Sequence, residues 1–362
     1  MNYQLGQRLR DLPGPVLLTG HTGFKGTWMT FLLEHLDVPV VGYSLPAEKD
    51  SLYDRAERVG VIPEKFGDIL NYELLEQFID KHNPSTIIHM AAQPLVLKSY
   101  ENPRATFDVN VMGTANVLDI AFKKDFIEAI VIVTTDKVYK NDDSGRAFIE
   151  TDPLGGKDPY SASKVGTEAV VAAWQQIAKI SGGPQVYSAR AGNVIGGGDF
   201  AESRLIPDII RGLVSGSDVE IRNPGSTRPW QHVIDPLIGY ISLLERIGQD
   251  QDIFNLNFGP LEDSIRVREA VTILVEILKP LGRVNVKFNF EVQDHFESKN
   301  LSLDSGQAKM AINWSPVCNS KEALVMTGNW WIKVLKEGVS IDEAIASDLQ
   351  HLLVRMEMKN AN

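Results

Sequence analysis

Three short clusters in this sequence carry groups that could move protons or meet a phosphate. Tyr160-Ser161-Ala162-Ser163-Lys164 sets a phenol and an ammonium four residues apart, on one face of a helix. A neighbouring cation favours the phenolate, so the spacing predicts a tyrosine that acts as base or acid near neutrality. By itself Tyr-x-x-x-Lys occurs by chance between two surface residues. Thr134-Thr135-Asp136-Lys137 closes an apolar run with hydroxyl, carboxyl and ammonium groups in succession. The third cluster is Thr19-Gly20-His21-Thr22-Gly23-Phe24-Lys25-Gly26. Its glycines permit a tight turn and close backbone approach, and free N–H groups at a helix start would meet a dinucleotide pyrophosphate. The glycines are spaced three and three, rather than two and three as in the usual fingerprint.

These clusters need a scaffold, and the hydrophobic pattern supplies one. Val16 to Thr19, Pro39 to Tyr43, Thr86 to Met90, Ile130 to Thr134 and Gln185 to Ala189 have the length and β-branched content of buried strands. Between them lie helical spacings: Trp28, Met29, Phe31, Leu32 and Leu36; Leu74, Leu75, Phe78 and Ile79; Val109, Met112, Val117, Leu118 and Ile120; then a helix from near Tyr160. Alternating strands and helices predict an α/β fold with a doubly wound parallel sheet, whose strand C-termini are where ligands bind. Both the glycine turn and Thr135 stand at such ends. Beyond Arg190 the alternation weakens, and the turn-rich Asn223-Pro224-Gly225-Ser226 suggests a smaller mixed domain. The expected division is 1–190 for the dinucleotide, with a return of the chain about 230–257, and 191–229 plus 258–362 for the substrate. Residues Lys140 to Asp152 read as a polar loop.

Composition narrows the function. The 362 residues carry a net charge of −11, which argues against nucleic acid as a partner because no basic excess is available to release counterions. No apolar stretch is long enough to span a bilayer, and the N-terminus lacks the basic and apolar regions of a signal peptide. One cysteine, Cys318, forms no intrachain disulfide, so a reducing cytoplasm is the expected compartment. His21, His35, His82, His89, His232, His295 and His351 are scattered, without metal-ligand spacing, and no metal is expected.

The glycine turn, Thr135 and the Tyr160/Lys164 pair together resemble the extended short-chain dehydrogenase/reductase superfamily, with its Rossmann fold. Within it the chain is similar to the nucleotide-sugar 4,6-dehydratases, most closely the branch that acts on CDP-glucose. The closer match runs through Gly20 to Gly26, His89-Met90-Ala91-Ala92-Gln93-Pro94-Leu95-Val96, Asn110-Val111-Met112-Gly113-Thr114, Arg190 to Asp199 and Arg228-Pro229-Trp230-Gln231-His232-Val233. The resemblance implies a lyase that oxidises the sugar at C4, loses water across C5 and C6 and returns the hydride to C6. It implies that Tyr160 removes the 4-hydroxyl proton, Thr135 hydrogen-bonds that hydroxyl and Lys164 holds the ribose. Asp136 would protonate the departing 6-hydroxyl, and Lys137 would be the C5 base or stabilise the enolate electrostatically. Thr134-Thr135 departs from the Thr-Ser usual in that branch, and Val138 replaces a common cysteine. A 4-epimerase or decarboxylase on the same scaffold, or a dehydratase for another nucleotide hexose, is the competing expectation, and a homodimer in deoxysugar and lipopolysaccharide biosynthesis is the expected setting.

The expected ligand contacts come from these blocks and from the strand ends, helix starts and arginines near them. For the cofactor, NAD with NADP left open, they are Gly20, Thr22, Gly23, Phe24, Lys25, Gly26, Asp68, Ile69, Ala91, Ala92, Gln93, Tyr160 and Lys164. Ser44 stands where an acid would bind the NAD ribose, while His21 and Lys25 could favour a 2′-phosphate. Asp68 either reaches the adenine edge or caps a helix starting near Asn71. For a nucleotide sugar, Gln93, Asn193, Arg204, Arg228, Trp230 and His232 are the candidates. Guanidinium forks suit a diphosphate, with Arg222 a weaker third. Trp230 either stacks on a base or anchors the core. Asn110 either supports a proton-relay water or bonds local backbone.

Overall fold

The computed structural model describes residues 3–142, 144–201, 204–249, 255–260, 265–282, 284–289 and 301–360. Ser203 and His295 lie outside them. The strands are β1 (Val16–Thr19), β2 (Val40–Ser44), β3 (Glu64–Phe66), β4 (Thr86–His89), β5 (Ala129–Val133), β6 (Gln185–Ala191), β7 (Val194–Ile195), β8 (Val219–Arg222), β9 (Thr227–Arg228), β10 (Gln231–His232), β11 (Asn255–Phe258), β12 (Ile265–Arg266) and β13 (Val286–Asn289). Seven of them form one parallel sheet in the order β11-β6-β5-β4-β1-β2-β3.

The sheet is covered on both faces, and the pleat shows it residue by residue. Leu17, Ile87, Ile130 and Ile132 enter one apolar cluster, while their neighbours Leu18, Ile88, Val131 and Val133 enter another. This is why the strands read as unbroken apolar runs. The strand order reverses between β4 and β1, which opens a crevice at their C-terminal ends. Into it lead the glycine turn after β1, the loop after β4 and Thr134 to Lys137 after β5.

The helices set the angles of these loops. Phe24–His35 leaves the glycine turn, and Pro159–Ser181 starts with Asp158 accepting from the Ser161 N–H and Pro159 in its first turn. Asn71, not Asp68, caps Tyr72–His82 by accepting from the Leu74 N–H. The helical spacing around Val109 conceals a break: Asp108–Met112 is a π-helical turn before Gly113–Ala121, and Met112 is exposed rather than packed. The Thr114 and Thr167 hydroxyls both donate to the Asn110 carbonyl there.

After β6 the chain makes three two-stranded pieces, β10 with β7, β12 with β9 and β13 with β8. It also returns to the main sheet as β11 beside β6. The larger apolar cluster runs without interruption from Leu18 and Ile88 through Ile209, Leu237 and Trp330 to Leu353. The segment after β5 is less polar in place than in sequence. Phe148 is buried, stacks on Tyr139 at 5.0 Å and bridges to Leu303, because the backbone of this loop pairs with the chain near Ser302.

Candidate active site

The crevice gathers the proton-transfer groups predicted from sequence. β5 ends at Val133, and Thr135 and Asp136 follow buried, with Lys137 half-buried beside them. The Thr135 hydroxyl donates to Asp136 Oδ1 at 3.0 Å, accepts from the Lys137 N–H and is hydrogen-bonded to the Tyr160 phenol. Burial pushes the Asp136 carboxyl above its usual range, opposed by the charge of Lys137, the Thr135 hydrogen bond and Arg228. Such a carboxyl holds a proton to higher pH than an exposed aspartate.

The tyrosine and lysine share a helix face, but their electrical relation differs from the sequence expectation. Burial pushes the Tyr160 phenol up to about 12, with Thr135 and Arg204 opposing and Asp136 adding to the rise. Lys164 does not act on the phenol as a principal cause; its Nζ donates to the Val133 carbonyl at 3.1 Å, and burial lowers it to about 8. Glu168, one turn further along, opposes that fall. Glu168 itself pairs with Arg190 at 2.7 Å and accepts from Thr134 and Ser188 hydroxyls at 2.6 Å each. This buried ion pair fixes the strand end beneath Thr135. Sequence reasoning missed it, although Glu168 continues the i, i+4 face of Tyr160 and Lys164.

The glycine turn fits a dinucleotide pyrophosphate. Gly20 has φ +74°, and a Cβ there would lie 2.7 Å from the Ala91 N. A Cβ on Gly26 would lie 2.1 Å from the Gly20 carbonyl oxygen. Gly23 is different: it is exposed, a Cβ would meet only the Gly20 oxygen at 3.5 Å, and as helix N-cap it offers no side-chain bond to the first-turn N–H groups. The turn is thus closed against β4 and open toward the crevice, where N–H groups await an anion. Thr22 is buried and bonds the Ser44 hydroxyl at 2.8 Å and the Leu45 carbonyl. Phe24 is half-buried against the core, Ala91 and Ala92 are half-buried beside the turn, and Asp68 is exposed at its rim. Ile69 packs in the core against Gly113.

Several residues stand elsewhere than expected. His21 is fully buried, its Nε2 2.8 Å from Glu64 Oε2, so it cannot reach a 2′-phosphate. Lys25 is no solvated helix residue; its Nζ donates to the Tyr240 hydroxyl at 2.9 Å and burial lowers it to about 7. Asp68 caps nothing, since its Oδ1 accepts from the Leu70 N–H in its own turn. Trp230 and His232 are both buried among core residues. Trp230 belongs to the larger apolar cluster, and His232 lies edge-on to Trp28 at 5.8 Å with burial lowering it to about 3. The Gln93 amide is spent within its own loop, bonding Leu95 in both directions and the Thr106 hydroxyl. Asn110 holds that loop in place through the Gln93 N–H and carbonyl and reaches Ser163 at 2.8 Å, a tertiary rather than local bond.

Arg204 and Arg228 approach the centre from opposite segments. Arg204 pairs with Asp199 at 2.9 Å, and its charge acts on Tyr160 and Lys25. Arg228 acts on Asp136. Asn193 is half-buried and its carbonyl accepts from the Gln231 N–H. The side chain of Arg222 lies outside the described set. Among the described residues no group of three His, Cys, Asp or Glu is placed to hold a metal, and no helix is long and apolar enough to cross a membrane.

A model of the NAD dependent epimerase/dehydratase family matches residues 16–256. The chain is 38% identical over 330 residues to the CDP-glucose 4,6-dehydratase of Salmonella typhimurium, covering 88% of this chain and 91% of that protein. Among solved structures, the dTDP-glucose 4,6-dehydratase DesIV of Streptomyces venezuelae, with NAD bound, has a TM-score of 0.73 at 24% identity, covering 90% of this chain and 98% of that one. The UDP-glucose 4-epimerase of Thermotoga maritima also has a TM-score of 0.73, at 20% identity, covering 89% and 100%. The fold is common to both activities, so the side chains in the crevice must discriminate between them.

Proposed function

The chain belongs to the NAD dependent epimerase/dehydratase family, and from that premise we propose that it is a hydro-lyase converting CDP-glucose to CDP-4-keto-6-deoxyglucose. One observation carries the choice: a buried Asp136, its carboxyl pushed above the usual range by burial, stands beside Lys137 and within the hydrogen-bond chain of Thr135 and Tyr160. A 4-epimerase leaves the 6-hydroxyl in place and has no leaving group there for that donor to protonate. The 38% identity with a CDP-glucose 4,6-dehydratase supports the same nucleotide.

The chemistry a bound NAD would supply is a reversible hydride store between C4 and C6 of the sugar, so no external reductant would be consumed. Gly20, Gly23, Gly26 and the first turn of Phe24–His35 would hold its pyrophosphate, with Asp68 at the adenine rim and Lys164 on the ribose. Tyr160 Oη takes the 4-hydroxyl proton, with Thr135 fixing that hydroxyl; Thr135 and the charge of Arg204 offset part of the burial that holds the phenol protonated. The ketone at C4 acidifies C5–H. Lys137 takes the C5 proton, the electrons of that bond form C5=C6, the C6–O bond breaks, and the hydroxyl leaves with the Asp136 proton as water; the protonated Lys137 gives its proton back to C5 when C6 regains the hydride. Arg204 and Arg228 would hold the diphosphate, and Asn193 would donate to a phosphate or sugar oxygen. In this reading residues 1–190, with the return at 230–257, hold the dinucleotide, and 191–229 with 258–362 hold the nucleotide sugar. A cytoplasmic homodimer accords with it: the buried single Cys318 suits a reducing compartment, and Leu97, Tyr100, Phe107 and Met112 leave apolar surface for a second copy.

Incubating the protein with CDP-, dTDP-, GDP- and UDP-glucose and NAD, without reductant, tests the proposal. A product lighter by one water from CDP-glucose is expected by mass spectrometry. An unchanged mass with inverted C4 would make the protein an epimerase, and water loss from another nucleotide would correct the substrate.

A further inference from the structure

Asp136 is confined on both sides. Its Oδ1 accepts from Thr135, and its Oδ2 lies where a neighbouring residue has no side chain: a Cβ on Gly192 would stand 2.9 Å from that oxygen and 3.3 Å from Pro229 Cγ. Gly192 follows β6 directly, and its backbone runs beside Pro229 because β7 pairs with β10. No positive φ demands glycine there, in contrast to Gly20 and Gly198. Nor does the apolar core demand it, in contrast to Gly197, whose Cβ would fall 1.9 Å from Trp330 Cδ2. The three nearest atoms that a methyl at position 192 would meet belong to the Asp136 carboxyl and the ring of Pro229.

We infer that Gly192 is a positioning residue for the elimination step, its bare backbone leaving the slot in which the Asp136 carboxyl is held toward the departing 6-hydroxyl. This rests on the dehydratase reading above and adds a residue to it. Alanine in the slot must displace Oδ2 or Pro229. Asp136 has a short side chain, so its carboxyl swings about Cα–Cβ, away from the leaving oxygen and out of the Thr135 hydrogen bond. Oxidation at C4 uses Tyr160 and Thr135 and does not need Asp136, so it survives. Loss of water needs the proton and suffers.

The two steps can be read separately in the NAD-loaded protein. In Gly192→Ala, the reduced-nicotinamide absorbance should still rise at close to the wild-type rate on mixing with CDP-glucose. Release of the dehydrated product should be slowed about a hundredfold, the low end of what a positioned general acid contributes. The substrate analogue with fluorine replacing the 6-hydroxyl leaves as fluoride without a proton. Gly192→Ala should therefore eliminate it at the wild-type rate, which also shows the variant folded. Because Gly192 acts through Asp136, the double variant with Asp136→Asn should be no slower than Asp136→Asn alone, whereas a general structural lesion would multiply the losses. Full water loss in Gly192→Ala, slow fluoride elimination, or multiplied losses in the double variant would each overturn the inference while leaving the dehydratase reading intact. Absence of water loss in the wild-type protein with every nucleotide glucose would overturn both.

Discussion

The strand end at Thr135 to Lys137 and the block Arg228 to Val233 look alike in the sequence. Each packs polar groups beside apolar residues, and each carries part of the family resemblance. In the structure they diverge. β5 is an inner strand of the main sheet, so its C-terminus opens on the crevice, where Thr135, Asp136 and Tyr160 are buried in one hydrogen-bond chain and Lys164 is buried against the Val133 carbonyl. β10 is two residues long and pairs with β7 outside that sheet, under the helix Ser320–Leu335. There Gln231 and His232 are at most 1% exposed, and Trp230 Nε1, the Gln231 amide and His232 Nε2 have no hydrogen-bond partner among the described residues. Burial is common to both regions. A buried polar group prepared for chemistry has partners that set its protonation, as Asp136 has Thr135, Lys137 and Arg228. In the second block Arg228 and Pro229 reach the first region.

Substitutions can break this contrast. Tyr160→Phe should lower turnover about a thousandfold, within the general acid–base range, with an unchanged melting temperature; a fall in stability instead would make the phenol structural. Trp230→Ala should do the reverse, costing about 3–5 kcal/mol in denaturant unfolding as a large core residue does. A raised KM with full stability would return Trp230 to the substrate. Lys137→Met should slow turnover about a hundredfold and stop solvent deuterium entering C5 while 4-keto sugar still forms. Normal C5 exchange would remove Lys137 as the base.

The smallest effect is a pH slope. Asp235, fully buried near the second block, is pushed up to about 7 by burial, and its Oδ1 accepts from the Val317 N–H. Its folded value lies above the unfolded one, so the folded state binds more protons between about pH 4 and 7. The Asp235 contribution is therefore complete below about pH 4 and is lost as pH rises through 7, at no more than about 1.4 kcal/mol per pH unit. Asp235→Asn, which mimics the protonated side chain, should flatten that part of the stability curve in urea titrations at several pH values. An unaltered slope would place the titration elsewhere.

The sequence by itself determined the five inner strands of the main sheet and the helix face that Tyr160 and Lys164 share, and the reason is local. Runs such as Ile130 to Val133 are buried on both faces and so read as strands without knowledge of their neighbours, and Tyr160 and Lys164 share a face through helix periodicity alone. Periodicity failed where a tertiary bond intervened, as at the π-helical turn that exposes Met112 while Asn110 reaches Gln93 and Ser163. Only the tertiary structure decided which polar residues of the resemblance blocks face ligand and which face core. It turned Lys164 to Val133, Lys25 to Tyr240 and His232 to Trp28, and it set Gly192 against Asp136. Those choices depend on side-chain direction and on contacts between segments far apart in the chain. Burial then sets each group's proton affinity through the desolvation and partners it meets there.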